Sequence, residues 1–140
     1  MASNAIAGVG TSFKRSDGAS SPSFVAIAEV NSIDGPNMSR DTIDVTSLDS
    51  TGGYREFIGG FRDGGEISLE MNFTFAGYEA MKTDFESSDK QDYQIVMPDA
   101  GNTTFDLSGF VSSIGMAVPT DDKVTATVTI KISGQVTLSS

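Results

Sequence analysis

The chain has 140 residues, long enough for one domain with a sizeable core and too short for two ordinary ones. It holds no cysteine and no histidine, which excludes disulfides, thiolate nucleophiles, imidazole acid–base chemistry and the commonest zinc ligands. A net charge of -10 argues against the basic groove that gives high-affinity, salt-dependent nucleic-acid binding. There is no apolar segment of ~18 residues for a membrane span, and no membrane binding is expected. The opening "MASNAIAGVGTSFKR" lacks the basic start and apolar run of a signal peptide, so a cytoplasmic product is expected. The sequons at Asn37, Asn72 and Asn102 then read as chance matches.

Residues 1–23 are rich in Ala, Ser and Gly without sustained period and read as an extended arm, with Phe13, Lys14 and Arg15 as its strong anchoring groups. Residues 24–140 read as a single β domain. It opens with "FVAIAEV" (24–30), apolar on nearly both faces, as a buried strand is. "IDGP" breaks it. In "DTIDVTSL" (41–48), Ile43 and Val45 alternate with Asp44 and Thr46, which predicts a short strand or an extended loop edge. The stretch 49–65 carries six glycines and no apolar periodicity, and reads as a long loop; loops of that length in compact domains are generally functional or disordered. Its Tyr54, Phe57, Ile58 and Phe61 argue against pure disorder, because they need a surface to bury against.

The strongest signal is "EISLEMNFTF" (66–75). Ile67, Leu69, Met71, Phe73 and Phe75 share one face, and Glu66, Ser68, Glu70, Asn72 and Thr74 the other. A one-residue slip of this half-buried strand would bury two carboxylates, so the register is strongly specified. After Gly77, the spacing of Tyr78, Met81 and Phe85 predicts one short amphipathic helix. "YQIVMPDAGNTTFDLSGF" reads as a hairpin turning at Pro98–Asn102. A change in the parity of apolar positions near Gly109 predicts a bulge or bend. "VPTDDK" supplies another turn, and "KVTATVTIKISGQVTL" alternates again, with Val124, Ala126, Val128, Ile130 and Ile132 on one face. The expected fold is mainly β: an antiparallel sandwich or barrel with one short flanking α-helix.

Chemistry-bearing constellations are weak. "GYREFIGGFRDGGE" (53–66) lacks the Lys-Ser/Thr of a phosphate-cradling loop. The spacing of Asp41, Asp44 and Asp49 fails the calcium-loop pattern. Glu66 and Glu70 on one strand face lie about 13 Å apart, from a rise of ~3.3 Å per residue. That is too far for a glycosidase pair. No residue is assigned to catalysis, a cofactor or a metal, and a small carboxylate hydrolase ranks far below a structural or adaptor role. What stands out is extended backbone and strand edge that a lone subunit of this size would have trouble satisfying.

Three blocks in order, "SRDTIDVTSLDS", "GYREFIGGFRDGGE" and "DDKVTATVTIKISG", make the chain resemble the major tail tube proteins of long-tailed, non-contractile, lambda-like bacteriophages, from about residue 6 onward. The resemblance implies a virion protein, made and assembled in the host cytoplasm, that forms six-membered rings stacked into a hollow tube for DNA passage. It also implies tape-measure, tail-tip and tail-terminator partners. The extra immunoglobulin-like domain of some relatives is not seen in this sequence, and its role is expected to be absent. Runner-up readings are a connector or tail-completion protein of related fold and the inner tube of a contractile tail. Expected subunit and ring contacts are Phe13, Lys14, Arg15, Arg40, Asp41, Asp44, Tyr54, Arg55, Glu56, Phe57, Phe61, Arg62 and Asp63, with the glycines of the long loop acting as hinges. Glu66, Glu70, Asn72, Thr127 and Lys131 are expected to line the lumen, where acidic groups would repel DNA phosphates.

Overall fold

A computed structural model describes residues 8–16, 23–27 and 29–139. Its strands are β1 (Ser12–Ser16), β2 (Phe24–Ala26), β3 (Val30–Asp34), β4 (Ser39–Asp44), β5 (Phe57–Asp63), β6 (Glu66–Asn72), β7 (Gln91–Val96), β8 (Thr104–Ala117), β9 (Thr125–Ile132) and β10 (Thr137–Ser139), with one α-helix among the described residues, α1 (Phe75–Glu86), and a single 3-10 turn at Thr51–Gly53. The main sheet runs β2-β1-β7-β8-β9-β6-β3, with β10 added on β8, and every pairing is antiparallel. The fold is therefore the expected mainly β, antiparallel architecture with a single flanking helix.

Alternation sets the register at the centre. Ile67, Leu69 and Met71 of β6 face Ile130, Val128 and Ala126 of β9, pair for pair, and all six are buried. Such cross-strand apolar pairs are the unit of sheet stability. Phe13, Tyr93, Ile95, Leu107 and Val111 extend the same cluster, with the rings of Phe13 and Tyr93 stacked at 5.5 Å. β8 is long enough to serve two neighbours. Its first half pairs β7, its second half pairs β9, and a bulge lies between Val111 and Ser113. That bulge is the predicted parity change, placed beyond Gly109, which itself sits where a Cβ would strike the Lys131 carbonyl.

α1 begins at Thr74, whose hydroxyl accepts the Gly77 N–H at 3.1 Å, a side-chain cap for an otherwise orphaned donor. It ends at Ser87, which has extended backbone and donates its N–H to the Thr83 and Asp84 carbonyls. The helix exists as predicted, but its inward face differs. Gly77, Met81 and Asp84 are buried, Tyr78 is half-buried and Phe85 is exposed.

Four expectations change. Phe73 and Phe75, expected on the buried face of a strand over 66–75, lie beyond β6, which ends at Asn72 where the chain turns into α1, and both are exposed. Residues 12–16, assigned to a free arm, form β1 inside the sheet with Phe13 fully buried; residues 1–7 and 17–22 of that arm lie outside the described residues. The single buried strand over 24–30 is instead two short strands, β2 and β3, separated at Glu29, whose φ is +62°; Ala28 lies outside the described residues. None of the described residues from Phe24 to Val30 is buried, because the run lies at the sheet's two outer strands rather than at its centre. The long loop at 49–65 contains β5, which pairs β4 to make a separate two-stranded ribbon.

Candidate assembly surface

The β4–β5 ribbon leaves the body between β3 and β6 and returns at Gly65. Several of its polar groups are bonded within the ribbon. Glu56 donates its N–H to the Thr46 hydroxyl at 2.7 Å and accepts the Val45 N–H on its carbonyl at 2.9 Å. Ser50 donates its hydroxyl to the Glu56 carboxylate at 2.9 Å. Asp44 is held below the usual carboxylate range, chiefly by bonds from the Thr46 hydroxyl and N–H and then by Arg55, whose guanidinium lies 3.3 Å away. The loop is thus a hydrogen-bonded ribbon with a bonded tip.

Its apolar side chains are not satisfied in the same way. Ile43, Val45, Leu48, Tyr54, Phe57, Ile58 and Phe61 are all exposed, with Phe61 at 89 % and Tyr54 at 77 % of full accessibility. Ile43 and Ile58 are direct cross-strand partners on one face and Phe57, the next residue along, lies on the other, so uncovered apolar side chains stand on both faces of the ribbon. Apolar exposure of that kind on a small protein marks a contact surface.

The root of the ribbon is closely packed. Gly35 (φ +112°) would place a Cβ 2.5 Å from the Glu66 carbonyl oxygen, and Gly65 (φ +79°) would drive one into the Asn37 carbonyl. Only glycine allows the two chain crossings to approach so closely. Asp63 locks the same place, accepting the Gly65 N–H at 2.8 Å and an ion pair from Lys131 at 3.1 Å. The Gly65 bond first and Lys131 second hold the Asp63 carboxyl below its ordinary range.

The expected contact residues therefore separate into two sets. Arg40, Asp41, Asp44, Tyr54, Arg55, Glu56, Phe57, Phe61, Arg62 and Asp63 all lie on the ribbon or its tip and are exposed. Phe13, Lys14 and Arg15 lie apart from them in β1. Phe13 is core, and Lys14 is half-buried between Ala26 and Gln94 of the adjoining strands. Arg15 turns inward to the Asp84 carboxylate, which also accepts the Tyr93 hydroxyl at 2.8 Å. Hydrogen bonding to Asp84 raises the Arg15 pKa further, and burial pushes that of Tyr93 strongly up. The hydrophobic pattern could not reveal this cluster, because a carboxylate occupies an inward helix position where an apolar residue is expected.

The residues expected to line a lumen do share a face. Glu66 and Lys131 are Cα partners, as are Glu70 and Thr127, and Asn72 follows on the same side of β6. Ser32 and Asp34 of β3 lie opposite Glu70 and Ser68. Among the described residues no group of three or more acidic, His or Cys side chains is arranged to hold a metal ion, and no helix is long and apolar enough to cross a membrane.

An antiparallel sheet with outer strands β2 and β3, carrying a ribbon whose apolar side chains have no cover in the subunit, defines a structural subunit of a larger assembly. The chain belongs to the lambda phage tail tube protein family, whose pattern matches residues 6–139. It is similar to a subunit of the tail of an empty gene transfer agent particle, determined by helical refinement with sixfold symmetry. The two are 26 % identical over 97 % of this chain and 100 % of that one, with a TM-score of 0.81. The fold also recurs in the SPP1 tail tube (10 % identity, 91 % and 75 % of the two chains, TM-score 0.67). It recurs again in the extended sheath–tube complex of an extracellular contractile injection system (17 % identity, 92 % and 87 %, TM-score 0.67). No curated protein matches the chain significantly. The protein is a structural tail tube subunit and part of the virion tail.

Proposed function

We propose that six copies close into a ring, that rings stack into the tail tube, and that the β4–β5 ribbon makes the principal contact with neighbouring copies. The observation that carries this reading is the ribbon itself: a closely packed root, hydrogen bonds within the ribbon and apolar side chains left uncovered. The sixfold symmetry of the similar gene transfer agent tail supports the ring number. Joining β2 or β3 edges across subunits would remove the open strand edges of each monomer, which otherwise invite aggregation.

The polar face of β3, β6 and β9 then lines the lumen. It carries Asp34, Glu66 and Glu70 against Lys131, whose charge Asp63 already offsets. A wall of that sign repels phosphates and lets DNA pass without specific binding. The subunit acts by shape and charge and not by catalysis. It is assembled in the host cytoplasm, with tape-measure, tail-tip and tail-terminator proteins as its partners. The likeness to an injection-system tube supports an inner tube of a contractile tail as a second reading.

Electron microscopy of the purified protein tests the proposal. Tubes of uniform diameter with sixfold end views are expected, and discrete globules at every concentration and ionic strength would overturn it.

A further inference from the structure

Arg40 and Arg62 are direct cross-strand partners near the root of the ribbon. Like charges in that relation destabilise a strand pair, and among the described residues neither guanidinium makes an ion pair or hydrogen bond. Gly59 leaves room for one of them, since a Cβ there would lie 2.5 Å from the Arg40 guanidinium. Both arginines line a cleft of about 790 Å³ between the ribbon and the segment that follows β9. Met38, Phe61, Ile132 and Val136 supply its apolar lining. Asp63 in the cleft is held by Lys131, so two unpaired guanidiniums face one remaining carboxylate, Asp41. The site is locally cationic in a chain of net charge -10.

The matching surface lies at the other end of the same strands. The β8–β9 turn carries Asp121 and Asp122, both exposed, after Met116 and Val118, which are 54 % and 65 % exposed. Apolar residues followed by paired carboxylates complement a cleft of apolar residues and paired arginines. The turn precedes Thr125, the first residue of β9, whereas the cleft includes Ile132, its last. At ~3.3 Å per residue the two sites stand about 23 Å apart along the strand. One subunit cannot bring them together. A contact between unlike patches at opposite ends of a molecule is heterologous and propagates from copy to copy.

We infer that the Arg40–Arg62 cleft receives the Asp121–Asp122 turn of a second copy, and that this charge pairing sets the direction and register in which rings stack. The inference rests on the tube reading and names the partner of the ribbon's root. A nucleic-acid phosphate is the competing occupant. It is disfavoured by the apolar lining, which a phosphate leaves unmatched and Met116 and Val118 beside the turn do not.

The test compares the critical concentration for tube formation of wild type, R40E/R62E, D121K/D122K and the chain with all four reversals, each checked for wild-type thermal melting. Each double variant is expected to raise the critical concentration at least about tenfold, as loss of a close interfacial charge pair does. The fourfold reversal is expected to recover most of that loss. Should a reversal fail to fold, R40Q/R62Q and D121N/D122N serve with the same expected direction. Wild-type tubes together with variants within twofold of wild type, or a fourfold variant no better than its parents, would overturn the inference while leaving the tube reading intact. Salt-sensitive binding of a duplex oligonucleotide that R40E/R62E abolishes without loss of assembly would assign the cleft to phosphates instead and equally overturn it. Absence of tubes from wild type itself would count against the tube reading rather than this pairing alone.

Discussion

The Arg15 guanidinium donates two hydrogen bonds of 2.7 Å to the Asp84 carboxylate, joining β1 to α1 across 69 residues of sequence. The Asp84 side chain is 1 % exposed and that of Arg15 25 %, so the pair is largely withdrawn from water. Burying a charge is tolerable only with such partners, and removing one leaves the other uncompensated. Asp84→Ala is therefore expected to cost about 3 kcal/mol, read as a lowered urea midpoint at unchanged m-value. A midpoint equal to wild type would show that the pair contributes nothing net.

Tyr93 donates to the same carboxylate, and burial first, then the Asp84 charge, pushes its pKa up. Above the ordinary tyrosine pKa near 10, the unfolded chain loses this proton while the folded chain keeps it. The unfolded state then binds fewer protons, so stability falls with rising pH, by up to about 1.4 kcal/mol per pH unit for this one group. Below pH ~10 the contribution is fully present. Denaturation curves taken upward from there should show a steeper decline for wild type than for Tyr93→Phe, and parallel declines would refute the assignment.

Gly65→Ala would place a methyl group against the Asn37 carbonyl at a positive φ. We expect a loss of about 2 kcal/mol or more. The loss should come with faster hydrogen exchange of the β5 amides, because the ribbon root must open to admit the group. Gly53, which also has positive φ but nothing within 4 Å of an added Cβ, is the control. Gly53→Ala should cost clearly less.

Leu69 is 1 % exposed and faces Val128 at the centre of the core. Leu69→Ala should destabilise by ~2–5 kcal/mol through lost burial and the cavity left behind. Calorimetry would measure it, and a smaller loss would mean that the sheet collapses onto the space.

Phe57 and Phe61 are exposed and outside the core, so replacing both by Ser should leave the melting temperature within a few degrees. Sedimentation and electron microscopy should show that tube formation is abolished. Tubes formed at wild-type concentration would remove these rings from the interface.

Period-2 alternation made β6 and β9 legible directly, because a slip by one residue would have buried Glu66 and Glu70. The helix was legible from Tyr78, Met81 and Phe85, though its buried face was not, since Asp84 enters the core only with Arg15 and Tyr93 supplied by distant strands. β5 was missed for a different reason. Its sequence, "FIGGFRD", has no alternating apolar face, because neither side of the ribbon is buried within the subunit. The same holds for "FVAIAEV", whose continuous apolar character suggested a central strand, although its residues occupy strands at the sheet's two ends.

By itself the sequence determined the class of fold, the register of the central strands, the absence of thiol and imidazole chemistry, and the resemblance to tail tube proteins. These follow from local pattern and composition, which act within a few residues. The tertiary structure decided that the glycine-rich loop forms part of a two-stranded ribbon, that Phe13 and Arg15 belong to the body, and that Arg40 and Arg62 stand opposite each other far from Asp121 and Asp122. Those relationships arise from long-range pairing, where the position of a charge or a glycine depends on which distant segment comes to lie against it.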